Sequence, residues 1–190
     1  MTNSVPTTSC IPQGGANSPA VLPSHEEHRR VAAQFVGCAI LTVSDTRTVD
    51  TDTSGTVIAT LLRKGGHHVV AYQIIRDEPE AVRRTCEGWS ADPDVQVILT
   101  NGGTGIAARD TTYDAIASML EKRLDGFGEL FRMLSYQEIG AAAMLSRAVA
   151  GVYRRRIIIA MPGSTNAVTL AMERLVLPEL AHLAFEATKV

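Results

Sequence analysis

Four short apolar runs constrain this chain more than any other feature: FVGCAILTV from Phe35, HVVAYQII, VQVILT and RIIIAM. Each is too short for an ordinary helix and reads as a strand; FVGCAILTV, VQVILT and RIIIAM are apolar enough for strands buried on both sides. Residues 54–64 then place Val57, Ile58, Leu61 and Leu62 at helical spacing and stop at Gly65 and Gly66. Pro79 opens a second helix, expected to run to about Trp89, because its ring suits a first turn. A glycine loop after VQVILT leads to a third helix, expected to reach about Arg123. Residues 126–147 read as helical or irregular, AVAGVYRR as an edge strand, and residues 165–187 as a closing helix with Pro178 as a kink or break. Strand and helix in alternation require parallel crossovers. The expected fold is therefore α/β: a three-layer, doubly wound, mostly parallel sheet with helices on both faces, in a single domain.

Residues 1–30 carry Pro6, Pro12, Pro19 and Pro23 with no sustained period. They are expected to form a disordered N-terminal tail ahead of a domain at 31–190. A formal charge of −2 gives no long-range pull on polyanions, which argues against nucleic acid as a partner and leaves anion binding to local devices. The three cysteines, Cys10, Cys38 and Cys86, lack zinc-like or disulfide spacing. No stretch is apolar enough to span a bilayer and the leader lacks a signal-peptide core, so a cytoplasmic protein without membrane association is expected.

The segment ILTNGGTGIAARDTTYDAI delivers a buried strand into Asn101, Gly102, Gly103, Thr104 and Gly105, then into a helix capped near residues 110–112. Ligands of open α/β sheets sit at the carboxyl ends of strands, and glycines there let backbone amides approach an oxyanion. A tight turn needing positive φ accounts for the glycines equally well. The loop lacks the Lys-Ser/Thr pair of a Walker A motif, and Gly103, Gly105 and Ala108 match a dinucleotide fingerprint only loosely, which disfavours a nicotinamide site. Polar residues follow the other strands: Ser44, Asp45, Asp52, Thr53, Ser54 and Gly55 after the first, Asp77 and Glu78 after the second. A parallel sheet brings Asp45, Asp77 and Asp110 toward one edge, a donor set that suits magnesium together with substrate phosphates. Helix capping is the plainer account: Asp52 or Ser54 for the first helix, Asp77 ahead of the Pro79 helix and Asp110 for the third. Pro162, Gly163 and Ser164 repeat the arrangement after the last strand.

From about Gly37 to about Ala181 the chain carries, in order, LTVSDTRT, DTSG, GHHVV, DVQVILTNGGTGIAARDTT, GFGELFRMLSYQEIG, SRAVAGV and AMPGST. With these motifs it resembles the MoaB/MogA proteins of molybdenum cofactor biosynthesis, which are related to domains of gephyrin and plant Cnx proteins. GFGELFRMLSYQEIG and AMPGST look more like MoaB. The resemblance implies that molybdopterin is bound and adenylated with ATP and Mg2+, releasing pyrophosphate; the alternative is a non-catalytic molybdopterin carrier or scaffold. By the same resemblance, Asp77 and Asp110 are the catalytic and magnesium-handling acids. Ser44, Asp45, Asp52, Ser54, Gly55, Asn101, Gly102, Gly103, Thr104, Gly105, Ser146, Pro162, Gly163 and Ser164 contact substrate and nucleotide. A homotrimer or homohexamer is implied, with other cofactor-biosynthesis proteins as further partners.

Other features have plainer readings. Phe127, Leu130, Phe131 and Leu134 at helical spacing suit core or subunit contact. Arg154, Arg155 and Arg156 suit a solvated turn, His67 and His68 a strand start at the surface, and Cys38 an inert core position.

Overall fold

The computed structural model describes Met1 and residues 35–189; the expected tail lies outside the described residues. Strand β1, Gly37–Val43, is buried along its whole length and lies between β2, His68–Ile75, and β3, Val97–Asn101. Strand β6, Arg156–Met161, joins β3 in parallel; β5, Val149–Tyr153, and the two-residue β4, Lys122–Arg123, continue antiparallel. The order β2-β1-β3-β6-β5-β4 makes β2 and β4 the edges.

Alternation along β1 shows why apolar residues are needed on both faces. Cys38 and Ile40 join one core with Ile58 and Leu62 of α1, Thr53–Lys64, and Phe131 of α4, Asp125–Ile139. Ala39, Leu41 and Val43 join a second core with Val82 and Cys86 of α2, Pro79–Ala91, and Ala115 and Ile116 of α3, Thr112–Met119. The three layers follow directly, and each fully buried Ile or Leu contributes roughly 1.5–3 kcal/mol. Cys38 and Cys86 are buried in the two cores, and burial pushes both thiols up to about 12.

Several details refine the expectation. The third helix ends at Met119, and Lys122 and Arg123 pair with Val152 and Gly151 as β4. AVAGVY is consequently an inner strand, because β4 occupies the edge beyond it. The closing helix divides into α5, Thr165–Ala171, a π-helical turn, Met172–Val176, and α6, Leu177–Thr188. The break precedes Pro178, which sits in the first turn of α6: the wider turn absorbs the missing donor and the ring clash that a proline imposes one turn back. His67 is half-buried, and its Nδ1 has no partner among the described residues. Arg154 and Arg155 do form the β5–β6 turn, both with positive φ. No helix among the described residues is long and apolar enough to cross a membrane.

Candidate functional site

Strands β1, β3 and β6 run parallel and release their chains at one edge, beside the crevice where the winding reverses about β1. A cavity of about 450 Å3 opens there. Its walls come from Ser44, Thr46 and Arg47 after β1, from Gly102, Gly103, Thr104, Gly105 and Asp110 after β3, and from Pro162 and Gly163 after β6, with Leu145 and Ser146 at the side.

The loop after β3 is held by its neighbours. The Gly102 amide donates to the Met161 carbonyl (3.1 Å), which stitches the β3 and β6 exits together, and the Thr112 amide donates to the Gly103 carbonyl (3.0 Å). Gly102 and Gly103 have φ of 95° and 59°. Glycine is required at Gly103 twice over, since a Cβ would also overlap the Asp77 carboxylate and the Thr112 hydroxyl. Gly163 lies against Gly102, where a Cβ would stand 3.0 Å from the Gly102 Cα.

Arg147 fixes the outer side of this loop. Its Nε donates to the Thr104 carbonyl (2.9 Å) and its Nη2 to the carbonyls of Gly105 (2.6 Å) and Asp110 (3.3 Å). The guanidinium also pairs with Asp114 (3.1 Å) and lies 4.6 Å from the centre of the Tyr113 ring. With the carbonyls occupied, the amides of Gly103, Thr104 and Gly105 donate to no acceptor among the described residues. Consecutive uncommitted amides at a cavity wall form an anion nest.

Asp77 lies behind that wall, only 4% exposed. Its carboxylate accepts from the Thr111 hydroxyl (2.7 Å), the Thr111 amide (3.3 Å) and the Thr112 hydroxyl (3.2 Å). The cap of α3 is thus supplied from another segment, and Asp110 does not cap it; Asp110 accepts instead from the Ala107 amide (2.9 Å) within the loop. Asp45 receives Arg109 at 2.9 and 3.0 Å and the Asp77 amide at 3.3 Å. Arg109 also bridges to Glu78, and its hydrogen bond is the main reason the Asp45 carboxyl lies below the usual range. Asp45, Asp77 and Asp110 therefore face different partners rather than one cleft. Among the described residues no three His, Cys, Asp or Glu side chains form a metal cage.

A second buried network supports the β1 side. Asp52 accepts from Tyr72 Oη (2.6 Å), the Gly55 amide (3.0 Å) and Ser54 Oγ (3.0 Å), and caps α1. Burial alone would raise its carboxyl; hydrogen bonds from Thr42, Tyr72, Gly55 and Ser54 outweigh burial and hold it below the ordinary value. Burial, followed by the bond to Asp52, pushes the Tyr72 phenol up to about 12. Ser54 and Thr42 flank Asn101, whose amide bonds to both (2.7 and 2.9 Å). Arg47 joins this network to the cavity: it bonds Ser54 Oγ and Asp52, and its Nη2 donates to the Gly163 carbonyl (2.7 Å).

Of the expected site residues, Ser44, Gly102, Gly103, Thr104, Gly105, Asp110, Ser146, Pro162 and Gly163 line the cavity, and Ser164 lines the adjoining one. Asp45, Asp52, Ser54, Gly55, Asn101 and Asp77 do not line it; they brace its walls. Arg47 and Arg147 were not anticipated. Arg47 stands in LTVSDTRT, and a lone arginine following a strand in a loop of small polar residues is the signal that would have found it; Arg147, in SRAVAGV, precedes a strand and carries no such signal.

Comparison with known proteins places the chain in a family. The family described as "Probable molybdopterin binding domain" matches residues 39–182. Molybdenum cofactor biosynthesis protein B of Halalkalibacterium halodurans is 53% identical over 167 residues, 87% of this chain and 98% of that protein. A crystal structure of a molybdenum cofactor biosynthesis protein B superposes with a TM-score of 0.78 at 50% identity, covering 80% of this chain and 95% of that one. The tungsten cofactor synthesizing protein MoaB of Pyrococcus furiosus superposes with a TM-score of 0.72 at 36% identity, over 83% of this chain and all (100%) of that one. The chain therefore belongs to the MoaB/MogA family of molybdenum cofactor biosynthesis proteins.

Proposed function

We propose that this protein binds molybdopterin and adenylates its terminal phosphate with ATP and magnesium. The observation that carries the reading is the nest of uncommitted amides at Gly103, Thr104 and Gly105, set in a polar cavity beside Arg47. In the reaction a phosphate oxygen of molybdopterin attacks the α-phosphorus of ATP, the bond to the β-phosphate breaks, and pyrophosphate leaves. A phosphate is already a nucleophile and needs no Ser-His pair, so positioning and charge neutralisation supply the catalysis. The amides and Arg47 hold phosphate oxygens. Arg147 and Asp77 keep the loop in register from outside and beneath.

Magnesium fits the residues present only as an ion carried with the nucleotide. It prefers one or two carboxylates plus phosphates to an all-protein cage, and Asp110 is the acid on the cavity wall. When bound there it would neutralise phosphate charge. A second reading, a molybdopterin carrier without chemistry, is favoured by one observation: the Asp77 carboxylate is committed to Thr111 and Thr112 rather than to the cavity.

The homotrimer or homohexamer implied by the resemblance is supported by the outer face of α4 and the turn after it, where Leu130, Met133, Tyr136, Ile139 and Met144 are exposed.

The test is pyrophosphate release from ATP, magnesium and molybdopterin, with Asp110→Asn beside the unaltered protein. Release that the substitution abolishes supports the transferase. Molybdopterin bound with no release makes the protein a carrier.

A further inference from the structure

One arginine joins two walls of the strand-end cavity from outside it. The loop after β1 supplies Ser44 and Arg47 to the lining, and the loop after β3 supplies Thr104, Gly105 and Asp110. Asp45 and Arg109 stand in these same loops without lining the cavity. Arg109 Nε and Nη2 donate to the two oxygens of Asp45 (2.9 and 3.0 Å), and Nη2 also donates to Glu78 Oε1 (2.9 Å). Asp45 accepts the Asp77 amide as well (3.3 Å). A single guanidinium thus ties together the exits of β1, β2 and β3, which lie 64 and 31 residues away from it in sequence.

Asp110 takes its place from this tie. The turn that carries it is bonded internally: its amide donates to the Ala107 carbonyl and its carboxylate accepts the Ala107 amide, both at 2.9 Å. Internal bonds move with the turn and fix nothing relative to Arg47. Arg147, ahead of β5, holds the Asp110 carbonyl (3.3 Å), and Asp77, after β2, holds Thr111. Among the described residues, the hydrogen bonds that join the turn directly to the loop after β1 are those from Arg109 to Asp45.

The side chains of Arg109, Asp45 and Glu78 are 53%, 39% and 55% exposed. Exposed ion pairs add little to a fold, but a bidentate, networked arginine still fixes geometry, because its planar fork sets direction as well as distance. A lysine ammonium, as a point charge, does not. We infer that Arg109 is a positioning residue for the transfer: clasped on Asp45 and Glu78, it sets Asp110 and the amide nest at their working distance from Arg47. The inference rests on the adenylation proposed above. Without the clasp each wall keeps its own donors, so phosphates are still bound and their alignment is what is lost.

The experiment measures pyrophosphate release from molybdopterin, ATP and magnesium by the full chain and by Arg109→Gln, Arg109→Lys, Asp45→Asn and the Asp45→Asn, Arg109→Gln double variant, with melting temperatures alongside. Arg109→Gln is expected to lower kcat about tenfold or more while both KM values stay within about twofold and the melting temperature is unchanged. Arg109→Lys should restore only part of the rate. Asp45→Asn should match Arg109→Gln, and the double variant should be no slower than either, as for two residues acting through one contact. An unchanged kcat in Arg109→Gln overturns the inference and leaves the proposed function standing. A raised KM at constant kcat would make Arg109 a substrate contact, a rate loss matched by a fall in melting temperature would make its role structural, and losses that add in the double variant would separate it from Asp45; each overturns the inference too. If the unaltered protein releases no pyrophosphate, the proposed function fails and the inference fails with it.

Discussion

Two cavities of nearly equal volume, about 450 Å3 at the strand ends and about 460 Å3 between α4 and α6, call for opposite guests. The first is walled by glycines, hydroxyls, Arg47 and a nest of uncommitted amides. The second is walled chiefly by Leu124, Phe127, Leu130, Ile159, Leu175 and Leu183. Volume therefore says little about where chemistry happens. What separates them is backbone polarity: loops at a parallel sheet's edge leave amides for a ligand, whereas helices flanking the other cavity satisfy their own amides internally.

The strongest way to break this contrast is Gly103→Ala. Positive φ and overlap with Asp77 and Thr112 are expected to cost about 3 kcal/mol together and to abolish ATP binding, checked by urea denaturation and calorimetry. A loss under about 0.5 kcal/mol would show that the loop relaxes freely and that the nest is not built.

Asp52→Asn sharpens the same contrast by removing charge from the bracing network. At neutral pH it is expected to lower stability by about 2 kcal/mol through weakened charge-assisted hydrogen bonds. The native Asp52 carboxyl is depressed, so its contribution is complete above about pH 4, the ordinary value, and is lost as the pH falls toward the native value. The gap between variant and unaltered protein should close in acid. A gap independent of pH would mean that ionised Asp52 contributes no more than a neutral group.

Leu130→Ser has the smallest expected effect. Leu130 is 47% exposed, so stability should fall by less than about 1 kcal/mol, with ATP affinity unchanged. Sedimentation should show a shift toward smaller species, because the substitution roughens the proposed subunit face. A changed ATP affinity would show that the two cavities are coupled.

Much of the fold was legible because its signals are local. The inner parallel strands β1, β3 and β6 announced themselves by uniformly apolar runs, while β2, at the edge, is only partly covered; Gly65, Pro79 and Asp52 marked helix ends through steric and hydrogen-bonding rules that act within a few residues. The missed boundaries have tertiary causes. Residues 122–123 become a strand only because Val152 and Gly151 pass beside them, and the π turn arises where Pro178 must continue a helix already docked against the sheet. The site was half legible. Glycine loops and strand-end hydroxyls fall at readable spacing, but nothing in the spacing distinguishes Asp110 on the cavity wall from Asp77 behind it.

By itself, then, the sequence determined the layers, the family and the edge at which a ligand enters, since burial pattern and loop chemistry are encoded position by position. The tertiary structure decided which side chains face that ligand. Arg147 reaches across 43 residues to the Thr104 carbonyl, and Asp77 across 34 to Thr111. Such bonds form only when folding has brought distant loops within 3 Å or so of each other, the range over which a hydrogen bond exists at all.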